Sequence, residues 1–464
     1  MEMHTDSVVF TGVSGCFGGA STSRAFWKAL LRKQSFFVPF GETADAHFSD
    51  DLFPKHIMPE VCSALGTNFT CRADQIPLPT DLGIGDNPDF YFAAQLAYDA
   101  LADAGISPGN EGTDRIAIFL GYESAFNPAA INWIQHASGI EQLMSTLQRF
   151  FPNASYAQMA TLRAELASTL PLLKPRQLEH ARGEGIVRGL TQIFNACDMA
   201  CLCSAGEASV FAGLDAAMNS LSMHQCDAAV VLVLQPPILQ AQLAGEAVMT
   251  PFSTCHALLP YTSTTQGTLP GEGGAAFVLR RHSDAQAQNK HCYARLHGCG
   301  LVSGITPTLS LQEQLTETLR RTLHRSLRRL PNGFRDIDYW EMNGSGVPIE
   351  DAAEEALLNR ITANRGAHIP LLALGSAKSS FGNTFTAAGA VGILKGLLAL
   401  NYRVLPPSVT PVDESFRLRL PEQAYYWVQE ARPWIASSMR PRRLIVSTLS
   451  HLGRAGSAVL EAMP

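Results

Sequence analysis

An α/β fold is predicted by the alternation of apolar, strand-like runs with helices built from small residues. Residues 227–234, Asp-Ala-Ala-Val-Val-Leu-Val-Leu, are apolar almost throughout, as a strand buried on both faces requires. The segment before it, 204–224, sets Ala205, Ala208, Val210, Phe211, Leu214, Ala217, Met218 and Leu221 in a mostly small, apolar pattern. A helix there would bury itself against a sheet. At 464 residues the chain is too long for one simple core, and no short-period repeat or low-complexity tract divides it.

The stretch 126–190 is longer than a core needs. Its mixed helix-like pattern, broken by Pro152, Pro171 and Pro175, predicts a cap. Cys201 follows, between an apolar strand and the small-residue helix. In the first turn of a helix, unpaired N–H groups and the positive end of the dipole favour thiolate over thiol, so Cys201 is a candidate nucleophile. Most buried free cysteines are inert core residues, and what distinguishes Cys201 is the set of motifs around it. Residues 280–284, Arg-Arg-His-Ser-Asp, read as a polar connection after a strand. Leu311, Leu315, Leu319, Leu323 and Leu327 form a four-residue stripe that should face the core, leaving Arg320, Arg321, Arg325, Arg328 and Arg329 toward water.

The net charge of −6 excludes the basic surplus of a nucleic-acid binder. Residues 1–6 lack the basic start and apolar run of a signal peptide, and no segment approaches the length of a membrane span. Ten cysteines in mostly apolar contexts read as reduced thiols in a cytoplasm. The spacing of Cys197, Cys201 and Cys203 fits no common zinc arrangement, so no metal is expected.

Further segments resemble the beta-ketoacyl synthases of fatty acid and polyketide assembly, in the family's order along the chain. Residues 7–15 and 26–31 look like the family's first strand, loop and helix. Asp-Met-Ala-Cys-Leu-Cys-Ser at 198–204 is similar to the nucleophile motif Asp-Thr-Ala-Cys-Ser-Ser-Ser, and Gly-Glu-Gly-Gly at 271–274 to the Gly-Glu-Gly turn. Glu-Met-Asn-Gly-Ser-Gly-Val-Pro at 341–348 resembles Glu-Ala-His-Gly-Thr-Gly-Thr-Pro. Gly-Ser-Ala-Lys-Ser-Ser-Phe-Gly-Asn-Thr at 375–384 resembles Gly-Ser-Val-Lys-Ser-Asn-Ile-Gly-His-Thr, and 404–408 also has its counterpart. The resemblance implies a thiolase-like fold of two pseudo-duplicated α/β halves in a layered α-β-α-β-α unit. The halves would be 1–285, carrying the nucleophile and the 126–190 cap near the substrate entrance and dimer contact, and 286–464. It further implies an acyl carrier protein as partner and an acyl thioester delivered on its phosphopantetheine arm or on CoA, with no other cofactor. A dimer, homo- or heteromeric, would bury the strand beside the nucleophile at a two-fold axis.

Both histidines of the family's Cys-His-His triad are asparagine here, at Asn343 and Asn383, while Cys201 and Lys378 are present. An amide can donate to a thioester oxygen but cannot carry a proton on and off near neutral pH. Aligning 446–454 on the family's Val-Ser-Ser-Phe-Gly-Phe-Gly-Gly-Thr places His451 at the gating phenylalanine, over the acyl-cysteine. Three functions follow. The first is a ketosynthase-like acyltransferase that loads Cys201 from a carrier and passes the chain to a non-malonyl nucleophile or another carrier. The second is a decarboxylative condensing enzyme working on asparagine donors, helped by His451. The third is a non-catalytic chain-length-type partner of an active ketosynthase, a group that typically lacks the nucleophilic cysteine, so Cys201 counts against it. The retained glycines Gly344, Gly346 and Gly382 argue against simple decay of the site. Arg320, Arg321, Arg325, Arg328 and Arg329, or equally Arg440, Arg442 and Arg443, are candidates for docking an acidic carrier.

Overall fold

The computed structural model describes residues 6–39, 59–65, 76, 87–107, 114–123, 128–172, 182–196, 199–238, 240–264, 266–304, 309–363, 365, 369–409, 415–418, 424–435 and 440–464. The first part of the chain forms β1 (Val8–Phe17), α1 (Ser23–Leu31), β2 (Phe37–Pro39), β3 (Val61–Ser63), α2 (Pro88–Asp103) and β4 (Ile116–Gly121). Next come α3 (Pro128–Ile134), α4 (Ile140–Phe150), α5 (Tyr156–Thr169), α6 (Gly183–Ile193), β5 (Ala200–Leu202), α7 (Ser209–Ser222), β6 (Ala228–Gln235), α8 (Gln240–Met249), β7 (Gly273–Arg281) and α9 (His282–Ala287). The second part adds β8 (Ala294–Ser303), α10 (Leu311–Ser326), β9 (Tyr339–Glu341), α11 (Pro348–Thr362), β10 (Leu372–Gly375), α12 (Lys378–Phe381) and α13 (Ala388–Tyr402). It ends with β11 (Val404–Leu405), β12 (Tyr425–Trp427), β13 (Arg432–Pro433), β14 (Arg443–Ser450) and β15 (Arg454–Ala462).

Among the described residues, eleven strands share one sheet in the order β12-β10-β9-β14-β15-β8-β1-β7-β6-β4-β5. Its two flanks repeat one plan. On one side β5, β4 and β6 run parallel, and β7 and β1 follow antiparallel. On the other, β12, β10, β9 and β14 run parallel, and β15 and β8 follow antiparallel. The flanks join where β1 pairs antiparallel with β8. Between them lie α7 and α13, each packed on strands of both flanks and on each other. Small residues permit that closeness: a Cβ added at Gly389 of α13 would sit 2.6 Å from Val210 Cγ1 of α7.

Residues 385–402, with mean hydropathy 1.3, do reach the length and apolarity of a membrane span, contrary to the expectation from sequence. They are a core element: every residue of α13 from Ala388 to Leu400 is buried. Its one cation, Lys395, is fully buried and paired with Glu341 at 2.7 Å. The arginines of the expected polar connection are also buried. Arg280 and Arg281 end β7 and pair with Asp114, and with Asp227 and Asp284. In the cap region, α4 and α5 bury only Ile140 and Met144, whereas α6 buries Ile186, Leu190 and Ile193 in the core. Pro152 and Pro171 follow α4 and α5, and Pro175 lies outside the described residues. α10 starts at a capping box of Ser310 and Glu313, and buries Leu315, Leu319, Leu323 and Leu327, but Leu311 is 41% exposed.

Candidate active site

Cys201 does not stand at a helix start. It lies in β5, the last strand of the sheet, paired parallel with Phe119 of β4, and its side chain is exposed. Among the described residues its thiol meets that of Cys203, at 4.0 Å. Burial pushes Cys203 up to about 12, with the neighbouring Cys201 thiol adding to the rise. Cys197 and Asp198, expected in the same motif, lie outside the described residues.

The residue at the start of the buried helix is Glu207. Gly206–Ala208 form a single 3₁₀ turn that leads into α7, with Gly206 at φ +56°. Glu207 Oε1 accepts from Asn383 Nδ2 at 2.9 Å, and Oε2 from Lys378 Nζ at 3.3 Å. Lys378 Nζ also donates to Asn343 Oδ1 at 2.7 Å. The sequence-derived set Asn343, Lys378 and Asn383 is therefore in one place, with a carboxylate where a thiol was expected.

Each asparagine amide is already committed. Asn343 Nδ2 donates to Leu449 O at 2.8 Å and to Glu350 Oε2 at 3.2 Å, away from Glu207, while Asn383 Nδ2 is spent on Glu207 itself. Only Asn383 Oδ1, an acceptor, is left without a hydrogen-bond partner among the described residues. Two free amide donors aimed at a thioester, as the sequence suggested, are not what the fold presents.

Several buried groups hold this arrangement. Glu354 accepts from the backbone N–H of Asn343 and Gly344, both at 2.9 Å, and from Tyr261 Oη at 2.6 Å. Burial lifts Glu354 to about 7 and its neighbour Asp351 to about 8. On the other side, Glu341 joins Lys395 to the backbone N–H of Ala377, at 2.7 Å each, and so fixes the loop that carries Lys378. The glycines have a backbone reason to persist. Gly344, Gly346 and Gly382 have φ of +49°, +77° and +73°, and a Cβ at Gly382 would lie 2.6 Å from Pro270 O. Their retention follows from the fold whatever the chemistry.

His451 extends the network. Its backbone N–H and Nδ1 meet Glu350 Oε1 at 2.6 and 2.9 Å, and Nε2 lies 2.6 Å from the carbonyl of Met249, the last residue of α8. Both ring nitrogens face acceptors, which only an imidazolium satisfies as a double donor. The bond to Glu350 holds His451 above its ordinary value of 6.5, against partial burial. The stabilisation is complete below pH 6.5 and fades as pH climbs through the raised value of the folded state. The stability advantage of the native protein over His451→Gln, read from urea midpoints, should therefore shrink from pH 6 toward alkaline pH; a pH-independent difference would contradict the double-donor geometry. Glu207 is held above the usual carboxylate range by burial, with Glu350 adding to the rise and Lys378 opposing it.

Glu207 was missed because a four-residue motif match outweighed helix phase. Val210, Phe211, Leu214, Ala217, Met218 and Leu221 already place the apolar face of a helix starting near 209, so the turn that leads into it falls at 206–208. Glu350 was missed because its role depends on contacts with Asn343 and with His451, about a hundred residues away.

Two family models match the chain: the beta-ketoacyl synthase N-terminal domain over residues 5–162 and 190–285, and the beta-ketoacyl synthase C-terminal domain over 293–410. Polyketide synthase PksL of Bacillus subtilis is 25% identical over 98% of this chain, which spans 9% of that protein. The hybrid PKS-NRPS synthetase TAS1 of Pyricularia oryzae is 27% identical over 85% of the chain, which spans 22% of it. The chain thus spans less than a quarter of these relatives. Among solved structures, the module 6 ketosynthase of the bacillaene synthase of Bacillus subtilis superposes with a TM-score of 0.71 at 19% identity, over 99% of this chain and 72% of that one. The AntDE:AntF complex, a type II polyketide acyl carrier protein with its ketosynthase bound to the hexaketide, gives 0.68 at 16% identity, over 99% of this chain and 100% of that one. These neighbours share the thiolase-like fold.

Proposed function

Because the chain belongs to the beta-ketoacyl synthase family, we propose that it is the non-condensing partner of an active ketosynthase in polyketide- or fatty-acid-type chain assembly. One observation carries this reading: Glu207 occupies the seat between Lys378 and Asn383. A carboxylate that attacked a thioester would form a mixed anhydride, uphill from the thioester it consumed, so this seat does not hold an acyl chain as a thiol does. The objection that Cys201 is retained loses its force, because that thiol sits on the exposed edge strand.

The uncovered surfaces fit a partner. Among the described residues β5 ends the sheet, with no strand paired on its outer side. The α3–α5 arm exposes Trp133, Ile134, Leu143, Phe150 and Tyr156. The family resemblance assigns the strand beside the nucleophile to a two-fold interface, and a second protein of ketosynthase fold would cover both features.

Intact-protein mass spectrometry after mixing with acyl-carrier thioesters tests the proposal. No Cys201-dependent mass gain is expected from the native chain, while iodoacetamide should label Cys201 before Cys203. A stoichiometric acyl adduct that Cys201→Ala removes, and that a second carrier discharges, would establish the acyltransferase reading instead.

A further inference from the structure

We propose that the hollow between α10 and α11 docks an acidic amphipathic helix, supplied by an acyl carrier protein. The partner class rests on the reading of this chain as a component of acyl-chain assembly; the location rests on the surface itself. The hollow encloses about 370 Å³. Its lining is largely apolar, with Leu323, Leu327 and Leu357 buried and Phe334 half-buried. Its rim carries Arg320, His324 and Arg328, all exposed, and among the described residues no carboxylate lines it.

The rim charges are available in different ways. Arg320 is held by both oxygens of Glu317, at 2.6 and 2.7 Å, which fixes its guanidinium at the edge of the hollow. Arg328 makes no hydrogen bond or ion pair among the described residues. Arg321, Arg325 and Arg329 add exposed charge on or just beyond the same helix. On a chain of net charge −6 this is a local reversal of sign around an apolar depression, the combination that captures a helix with an apolar ridge and flanking carboxylates.

The competing basic cluster is committed internally. Arg440 pairs with Asp338 and donates to the carbonyl of Arg335, Arg442 donates to the carbonyl of Trp434, and Arg443 pairs with Glu461 at 2.7 Å. Charge in the sequence could not separate the two clusters, and Arg320 and Arg325 have internal partners too, but exposure does: the Arg320 side chain is 50% exposed, against 26% for Arg440 and 14% for Arg443.

Anisotropy of a labelled apo acyl carrier protein, lacking the phosphopantetheine arm, titrated with the full chain tests the site without involving the Glu207 pocket. Binding should weaken as salt is raised, and Arg320→Glu/Arg328→Glu should lower affinity about tenfold or more and flatten the salt dependence. Phe334→Ala should weaken binding without changing the salt slope, and Arg24→Glu, an exposed change on α1, should do neither. No binding by the native chain, or equal binding by the charge-reversed variant, would overturn the proposal. So would decanoate binding that responds to the reversal while the carrier does not bind, which would make the hollow a small-amphiphile site. An acyl adduct on Cys201 would overturn the non-condensing reading and leave this result untouched.

Discussion

Replacing Glu207 by cysteine, in a Cys201→Ala background, is expected to convert a chain that does not load into one that does. The new thiol would stand at the 3₁₀ turn in front of α7, where the helix dipole and the Lys378 ammonium both favour thiolate. Removing the carboxylate also frees Asn383 Nδ2 and Lys378 Nζ, the two donors it now occupies, to meet a thioester oxygen. One acyl group per chain is expected by intact mass, at a rate at least about a hundredfold above the native protein, the scale at which one oxyanion donor acts. Malonyl decarboxylation should stay at background, since neither asparagine can shuttle a proton. Absence of any adduct on Glu207→Cys would mean that the seat is closed to the carrier arm or is not the nucleophile position.

The fold was legible where local pattern and global packing agree. The expected strand at 227–234 is β6 at Ala228–Gln235, and the small-residue segment 204–224 holds α7 at Ser209–Ser222, because burial on both faces leaves a signature in each residue. The leucine stripe shows where a simple period fails. Steps of four residues advance about 40° beyond a full turn each, so a stripe of five leucines rotates away from the core. Leu315 and Leu319 are fully buried and Leu311 is not. The ion pairs of Arg280 with Asp114 and of Arg281 with Asp227 join residues far apart in sequence, so a run of charge read as a connection proved to be buried structure.

The site was legible in part for the same reason. Asn343 and Asn383 lie on loops whose glycines force one backbone path, Lys378 opens the short helix α12 between them, and these segments meet as their motifs imply. The fourth member depended on the phase of α7, which a short cysteine motif six residues upstream obscured. His451 was placed near the site, but its partner Glu350 is set by the first turn of α11, and its role is a bridge between Glu350 and the end of α8.

Lys378→Met should be the most damaging single change at the site. Lys378 is 6% exposed and Glu207 14%, so the substitution strands a largely buried carboxylate beside Glu350 and leaves Asn343 Oδ1 without its donor. Removing one partner of such a pair costs about 3 kcal/mol at neutral pH, near the lower end for buried pairs because Glu207 retains some contact with water. The cost has a definite pH dependence. Without the ammonium, burial and Glu350 raise the folded-state value of Glu207 further, so the variant is less impaired at pH 5 than at pH 8. It loses stability relative to the native protein as pH rises through that raised value. Adding Glu207→Gln removes the stranded charge, so the double variant should recover most of the loss and show little of the pH slope. Urea midpoints of the four proteins at pH 5 and pH 8 decide the matter. A Lys378→Met penalty below about 0.5 kcal/mol, or one that Glu207→Gln does not relieve, would mean that the ammonium and the carboxylate do not act as a pair. The seat of Glu207 would then be held by its hydrogen bond to Asn383 alone.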